Sequence, residues 1–476
     1  MRILFIRHHS FRSDESGRYP YAKHSYPPLG LCHIATLLKQ NDRSDLIEIL
    51  DSRALNLDLN QTRSKIKAFR PDIIGITTLT ETLPGAIEMG EVCKELFPEV
   101  LRIIGGAHIT VDPEPVMELG LFQLGVLGEG EITALEILSE YKKTGKIPTD
   151  IDGTMVYKDG SIIRNRPRSR VENLDTMPFP DRHFFDNSLY RPYLAKRPWT
   201  YMTVSRGCPF RCAFCIRAVW GKKATFNSAR RIFEEMRNCV NEFKIREIWF
   251  RDDTFTCRKT TVMELCDLIV KEKLKVRWTV FSRVDTVDEE MIRALKKAGC
   301  YKIDFGVESG DQATLDLMKK GITIKQIKDA FRICRKAGVQ TQGFYMIGYP
   351  RETRETIYKT IKLAREIGDW ASFNPVSVKQ NTELYDLAVE EGYFIPRRID
   401  AFHGQSQLEN YCNSKELPSR EILRLTNLAY KRFYLRPGHI LRLLMLMIKD
   451  GIIWNFIRIA PYALKRIFGT YQRVKR

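Results

Sequence analysis

Three cysteines, Cys208, Cys212 and Cys215, stand four and three residues apart in the stretch Ser205-Arg206-Gly207-Cys208-Pro209-Phe210-Arg211-Cys212-Ala213-Phe214-Cys215. At that spacing three thiolates fit one compact loop. A structural zinc site takes four ligands, commonly as two pairs. The forty residues after Cys215 hold no second cysteine pair and no histidine. An iron–sulfur cluster that only passes electrons is held by four cysteines. Three leave one iron without a protein ligand, the counterpart of a catalytic metal that keeps one position open. The trio therefore reads as cluster chemistry with a position reserved for a substrate or cofactor. The other eight cysteines are scattered, several inside apolar helical runs such as Met263-Glu264-Leu265-Cys266-Asp267-Leu268. They read as small buried hydrophobes in a reducing compartment.

A reactive loop needs a rigid support, and the flanking sequence supplies one. From about Thr200, short β-rich runs alternate with helical segments. The expected strands are Tyr201–Ser205, Glu247–Arg251, Arg277–Phe281, Lys302–Gly306, Thr341–Met346 and Phe373–Val378. Six β/α units in one parallel sheet predict a partial barrel, left open, with its reactive residues at the strands' carboxyl ends. The cysteine loop follows the first of these strands. Upstream, Ile3–Ile6, Ile47–Leu50, Ile73–Thr77, Leu101–Gly105 and Leu124–Leu127 alternate with helical stretches and predict a doubly wound, Rossmann-like parallel sheet. Its glycines cluster at strand ends, where such sheets bind ligands. The expected organisation is α/β throughout: a Rossmann-like domain over 1–145, a connector with a hairpin over 146–195, the barrel over 196–415 and a helical region over 416–476.

The Cys-x-x-x-Cys-x-x-Cys loop behind the first strand of a six-unit barrel resembles that of the radical S-adenosylmethionine enzymes. The resemblance implies a [4Fe–4S] cluster whose open iron chelates the amino and carboxylate groups of S-adenosylmethionine. An electron from the cluster then releases a 5′-deoxyadenosyl radical. It also implies cofactor contacts at successive strand ends. Phe214 matches the aromatic residue beside the adenine. Asp252 and Asp253, in Arg251-Asp252-Asp253-Thr254-Phe255, suit the methionine ammonium, although adjacent acids also serve as helix caps. Ser282 and Arg283 end the third strand, and Arg283 can pair with a carboxylate in a bidentate way. Glu308 and Ser309 fall in the ribose- and methionine-contacting stretch. Tyr345 and Gly348, in Gly343–Pro350, fall in the adenine-contacting one.

The N-terminal sheet resembles the cobalamin-binding domain fused ahead of such barrels in one subgroup. Tyr26-Pro27-Pro28-Leu29-Gly30-Leu31, Gly105-Gly106-Ala107-His108-Ile109-Thr110 and Gly128-Glu129-Gly130-Glu131 are the matching pieces. Gly30, Gly105, Gly106, His108, Gly128 and Glu129 are the expected cobalamin contacts, the glycines because they admit a bulky ligand close to the backbone. No histidine has aspartate two residues before it and glycine three after it. The Asp-x-His-x-x-Gly motif that supplies a lower axial ligand is thus missing. His108 is left with two readings, a contact to the nucleotide tail or a cap on the following turn.

The resemblance leaves two reactions open: methylation of an unactivated carbon with cobalamin as methyl carrier, or oxidative ring formation or rearrangement. The subgroup with anaerobic cyclase-type and lipid-modifying members is similar in its fused domain and helical tail. One departure is Pro375–Tyr385, where relatives place a Pro-Gly-Thr turn. The expected partners are a reductant such as flavodoxin or ferredoxin and an apolar small-molecule, lipid or tetrapyrrole substrate. A non-enzymatic iron–sulfur or corrinoid redox sensor is the alternative, but it has no need for ordered cofactor contacts.

The net charge is +19, and from Glu416 onward there are thirteen basic residues against three acidic ones. Ile440–Ile448 and Ile452–Ala460 are apolar with interspersed cations. Such helices can lie in a membrane surface and meet anionic lipid, or dock as a lid on the barrel's open side. No nucleic-acid reader motif accompanies the charge. A cytoplasmic location, with peripheral membrane contact through the tail, is expected.

Overall fold

Strands that are apolar on both faces need cover on both faces, and the first of two units builds around such strands. The computed structural model describes residues 1–8, 26–192, 195–217, 219–221, 223–394, 412–413, 417–454 and 457. The first unit centres on Met1–Pro192 and the second takes most of the remaining chain.

In the first unit, β1 (Arg2–Arg7), β2 (Leu46–Asp51), β3 (Ile73–Thr77), β4 (Leu101–Gly105) and β5 (Leu124–Val126) lie parallel in the order β2-β1-β3-β4-β5. Leu4, Ile6, Ile74, Ile76 and Ile104 point to one face, under α2 (Leu59–Phe69) and α3 (Leu83–Leu96). Ile3, Phe5, Ile73 and Leu101 point to the other, under α1 (Leu29–Asn41) and α4 (Gly130–Thr144). This is the expected doubly wound sheet. The hairpin of β6 (Thr154–Lys158) and β7 (Ser161–Arg164) continues the same sheet through antiparallel pairing of β6 with β5. The hairpin read as part of a connector therefore completes the sheet's edge. The strand order reverses between β1 and β3, and ligands of such sheets bind beyond the strand ends at that point. His8 and Thr78 follow those two strands and are buried.

In the second unit, β8 (Trp199–Met202), β9 (Glu247–Phe250), β10 (Arg277–Ser282), β11 (Cys300–Glu308), β12 (Gln340–Ile347) and β13 (Trp370–Pro375) form one parallel sheet in chain order. Among the described residues no pairing joins β13 back to β8, so the barrel is partial and open, as expected. The sixth strand begins three residues earlier than its sequence pattern predicts, because Trp370 pairs with Gln342. Alternation divides each strand. Ile248, Phe250, Trp278, Val280, Ile303, Phe305, Ile347 and Phe373 pack outward beneath the helices. The intervening residues face the lumen.

Two helices close what the missing strands leave open. On α11 (Ser419–Tyr434; α5–α10 are Ala229–Asn241, Lys259–Lys271, Glu289–Lys297, Ile324–Lys336, Arg354–Ile367 and Glu383–Glu390), tyrosine hydroxyls take over the free edge of β13. Ala371 N donates to the Tyr434 hydroxyl (3.1 Å), Phe373 N donates to the Tyr430 hydroxyl (3.1 Å), and the Tyr434 hydroxyl donates to Ala371 O (2.7 Å). An exposed strand edge is thereby satisfied. Then α12 (Pro437–Asp450) closes the floor at the strands' amino ends. Leu443 and Met447 pack with Trp370, while Asp450 accepts from Gln340 at 2.8 Å and pairs with Arg277 at 3.1 Å. The docking reading of this helix is thus met on one of its faces. Its outer face leaves Leu441, Met445 and Ile448 exposed at 59%, 56% and 64%. Ile452–Ala460 lies partly outside the described residues. No described helix is long and apolar enough to cross a membrane.

Candidate active site

The cysteine loop leaves the carboxyl end of the first barrel strand, and its backbone is pinned at Ala213, between the second and third cysteines. Ala213 N donates to Met318 O (2.9 Å), and Ala213 O accepts from Leu384 N of α10 (2.9 Å). Cys208 and Cys212 are half-buried and Cys215 is exposed. The Cys208 sulfur lies 3.6 Å from the Thr254 hydroxyl, and the Cys212 sulfur 3.5 Å from Arg283 Nη1. Burial raises the Cys212 thiol, and the Lys320 and Arg283 cations pull it the other way. Among the described residues no three metal-ligating side chains are already drawn in around one point. The donor chemistry nonetheless fits an anionic cluster: three thiols on one anchored loop, none of them fully buried, and two buried cations beside the middle one.

Those cations belong to a network that sequence reading found only in part. Arg283 is 4% exposed, and its fork grips Asp285 through Nε and Nη2 at 2.9 Å each. Nη2 also donates to Lys320 O at 2.6 Å, and the guanidinium lies 3.7 Å over the ring of Phe210. The bidentate pairing expected of Arg283 is made here, on its Nε and Nη2 side, with a carboxylate of the chain itself. Lys320 Nζ in turn pairs with Glu308 at 2.8 Å and stands 5.9 Å over the ring of Phe214. Glu308 has φ 70, a left-handed conformation that a bulky residue adopts at a cost. A Cβ on Gly306 would come within 2.6 Å of the Glu308 carboxylate and 2.9 Å of Lys320 Nζ, so a side chain there would displace this pair from its present position. Phe210, Asp285, Lys320 and Thr254 carried no sequence signal. Lys320, in Lys319-Lys320-Gly321, reads as a solvated turn.

Several other expected contacts are committed to the protein itself. Asp252 Oδ1 accepts from Val204 N (2.8 Å), Ser205 N (2.6 Å) and the Ser205 hydroxyl (2.6 Å), which locks the chain just before the cysteine loop. Burial pushes this carboxyl up to about 7 against those hydrogen bonds. Asp253 is the exposed member of the pair and the one open to a ligand. The Ser282 hydroxyl sits between Thr256 (2.5 Å) and Thr286 (3.4 Å). Ser309 meets the Thr360 hydroxyl at 3.2 Å and is fully buried. Tyr345 points outward and stacks on Phe373 at 5.1 Å. Gly348, with φ 88, turns against α11, where a Cβ would meet Ile422 at 2.6 Å. Its N–H and that of Tyr349 donate to Glu352 at 2.8 and 2.9 Å. These five serve as struts of the site. Asp253, Arg283 and Glu308 stand beside the loop, to which Phe214 itself belongs.

In the first unit the expected cobalamin residues also divide. Gly30 and Gly128 have open space where a side chain would be, which leaves room for a bulky ligand. Gly105 meets only ordinary contacts. Gly106, with φ 109, is required by its neighbours: a Cβ would lie 2.4 Å from Thr78 O. His108 is buried and its Nδ1 lies 3.3 Å from the Thr80 hydroxyl, so the ring braces the loop after β3. Glu129 accepts from Val171 N (3.1 Å) and faces Arg170 at 3.6 Å. The open glycines fit a cobalamin; His108 and Glu129 hold the rim.

Comparison with known proteins identifies the two units as members of known families. The profile of the Radical SAM superfamily matches residues 202–364, and that of the B12 binding domain matches residues 21–138. An uncharacterized methyltransferase of Pyrococcus horikoshii is 33% identical over 415 residues, covering 86% of this chain and 88% of the relative. An anaerobic magnesium-protoporphyrin IX monomethyl ester cyclase of Rubrivivax gelatinosus is 27% identical over 388 residues, covering 79% of this chain and 68% of the relative. The solved structure of the cobalamin-dependent S-adenosylmethionine radical enzyme OxsB, with aqua-cobalamin and S-adenosylmethionine bound, superposes with a TM-score of 0.73 at 15% identity, covering 96% of this chain and 72% of that one. The radical S-adenosylmethionine methyltransferase TsrM of Kitasatospora setae, with cobalamin and a [4Fe–4S] cluster bound, gives 0.70 at 18% identity, covering 92% and 89%. At those identities the two structures establish the shared fold.

Proposed function

Because the chain belongs to the radical S-adenosylmethionine superfamily and carries a B12 binding domain ahead of the barrel, we propose that it methylates a carbon of a substrate held in the barrel lumen. The observation that carries this reading is the anchored three-thiol loop at the barrel's carboxyl end, in one chain with a cobalamin-binding fold. When bound, the cluster supplies the electron that splits S-adenosylmethionine, and cobalamin supplies a methyl carrier. Cys208, Cys212 and Cys215 would hold the cluster, Asp253 would meet an ammonium, and Phe214 would offer a ring face. A redox-sensing role finds no support among the relatives.

Methyl transfer is favoured over ring formation by the methyltransferase relative, which matches this chain over most of both lengths. The lumen refines the substrate. Arg251 lies between the rings of Trp249 and Phe281, 4.5 Å from each, and pairs with Asp304 at 3.3 Å. Lys302 pairs with the same carboxylate at 3.0 Å. Above them Phe281 and Phe344 pack at 5.4 Å. A purely hydrocarbon guest would desolvate those charges without meeting them. Within the apolar small-molecule, lipid or tetrapyrrole class expected from sequence, a substrate with polar groups on an apolar body suits this wall best. A flavodoxin- or ferredoxin-type reductant would supply the electron. The exposed apolar row of α12, in a region rich in cations, would rest on an anionic membrane surface.

The test is anaerobic incubation of the reduced, cofactor-loaded protein with methyl-labelled S-adenosylmethionine. The proposal expects label on the corrinoid, with S-adenosylhomocysteine and 5′-deoxyadenosine both formed. 5′-Deoxyadenosine alone, with no label transferred, would replace methylation by ring formation or another rearrangement.

A further inference from the structure

We infer that Arg283 is a positioning residue that hydrogen-bonds the sulfur of Cys212 and thereby sets the reduction potential of the cluster, instead of holding the carboxylate of S-adenosylmethionine. The inference rests on the reading that the cysteine trio carries a [4Fe–4S] cluster. Its basis is how the five donor positions of one guanidinium are spent. Nε and Nη2 close a two-pronged pair with Asp285, and Nη2 reaches the Lys320 carbonyl as well. Stacking on Phe210 fixes the guanidinium plane at 3.7 Å. With the plane fixed and one side of the fork occupied, Nη1 is the group directed at the loop, and it meets the Cys212 sulfur at 3.5 Å.

The same contacts make the arrangement rigid. Phe210 and Cys212 both belong to the loop, so one side chain from the third strand grips it at two points. Lys320, whose carbonyl completes the grip, is itself held by the buried pair with Glu308. A side chain so tied cannot swing out to a free carboxylate without leaving Asp285 unpaired and partly buried, which is costly.

A cationic N–H donated to a cluster thiolate stabilises the more negative, reduced cluster over the oxidised one, and hydrogen bonds to sulfur are among the determinants of cluster potential. Removing the donor should make the midpoint potential more negative. Keeping the charge without the fork should do so less.

The experiment compares wild type, Arg283→Lys and Arg283→Met after anaerobic reconstitution of the full chain. It measures iron per chain, the midpoint potential by redox titration followed by electron paramagnetic resonance, and equilibrium binding of S-adenosylmethionine. The expected result is a cluster in the wild type and in Arg283→Lys, a potential that falls in the order wild type, Arg283→Lys, Arg283→Met, and cofactor affinity within about threefold of wild type in Arg283→Lys. If Arg283→Met fails to hold iron, Arg283→Gln supplies the second variant. It removes the guanidinium charge but keeps a polar side chain of similar length, and should shift the potential in the same direction. An unchanged potential in Arg283→Lys and Arg283→Gln, with cofactor affinity lost tenfold or more, would overturn the inference and return Arg283 to the cofactor carboxylate. A wild-type chain that binds no iron would instead defeat the underlying reading of the cysteines.

Discussion

Asp252 shows how a residue can belong to the site without touching its chemistry. Its carboxylate fixes the backbone immediately before the cysteine loop, and Glu352 does the same for the turn after β12. Burial pushes both carboxyls up to about 7, from ordinary values of 3.8 and 4.5. The folded state then holds protons that the unfolded chain has already released. Their contribution is present in full below about pH 4 and is lost as pH rises to about 7. Asn and Gln keep the accepting oxygen but cannot ionise. Thermal denaturation of Asp252→Asn/Glu352→Gln should match wild type near pH 3.5 and exceed it at pH 8, by roughly 2–4 kcal/mol per site at most. Equal pH profiles would show that neither carboxyl carries this burden. At this scale the sequence revealed the thiols and the neighbourhood but not the division of labour. Asp252 and Asp253 are identical in type and adjacent in order, and only the turn after β9, which aims Asp252 at Val204 and Ser205, buries one and exposes the other. Ser282, Ser309 and Tyr345 were legible as residues at strand ends. Which way each side chain turns depends on neighbours from other elements.

Periodicity made the elements legible because parallel strands buried on both faces leave long apolar runs, and each run here became a strand. Turns carried less information. Gly106 resembles a glycine placed for a ligand, yet the atom it makes room for is Thr78 O, on the neighbouring loop. Gly106→Ala should therefore destabilise the first unit by about 3 kcal/mol whether or not corrinoid is bound, as measured by denaturation of the apoprotein. A loss seen only in the corrinoid-loaded form would assign Gly106 to the ligand instead. The hairpin β6–β7 was legible as a hairpin but not as an edge of the sheet, since its partner β5 is only three residues long. The tyrosines that satisfy β13 also escaped notice, because a hydroxyl capping a strand edge has no local pattern.

For the whole molecule, the arrangement of two cofactor-binding α/β units was readable from motif order, and the role of the terminal helix was not. Amphipathic residues that can dock or face a membrane look alike in sequence. In the structure α12 does the first with Leu443, Met447 and Asp450 and leaves Leu441 and Ile448 outward. Deleting the helix would open the barrel floor, so point changes are the cleaner probe. Leu441→Asp/Ile448→Asp should leave the melting temperature within a few degrees while abolishing sedimentation with phosphatidylglycerol vesicles. Retained sedimentation would remove the membrane reading. The central claim concerns the loop of three thiols, and one measurement addresses it most directly: reductant-dependent formation of 5′-deoxyadenosine from S-adenosylmethionine, under anaerobic conditions, by wild type and Cys212→Ala. The account predicts product from the reconstituted wild type and at least a hundredfold less from the variant, at unchanged fold. Equal product from both, or none from a wild type loaded with four irons, would contradict it.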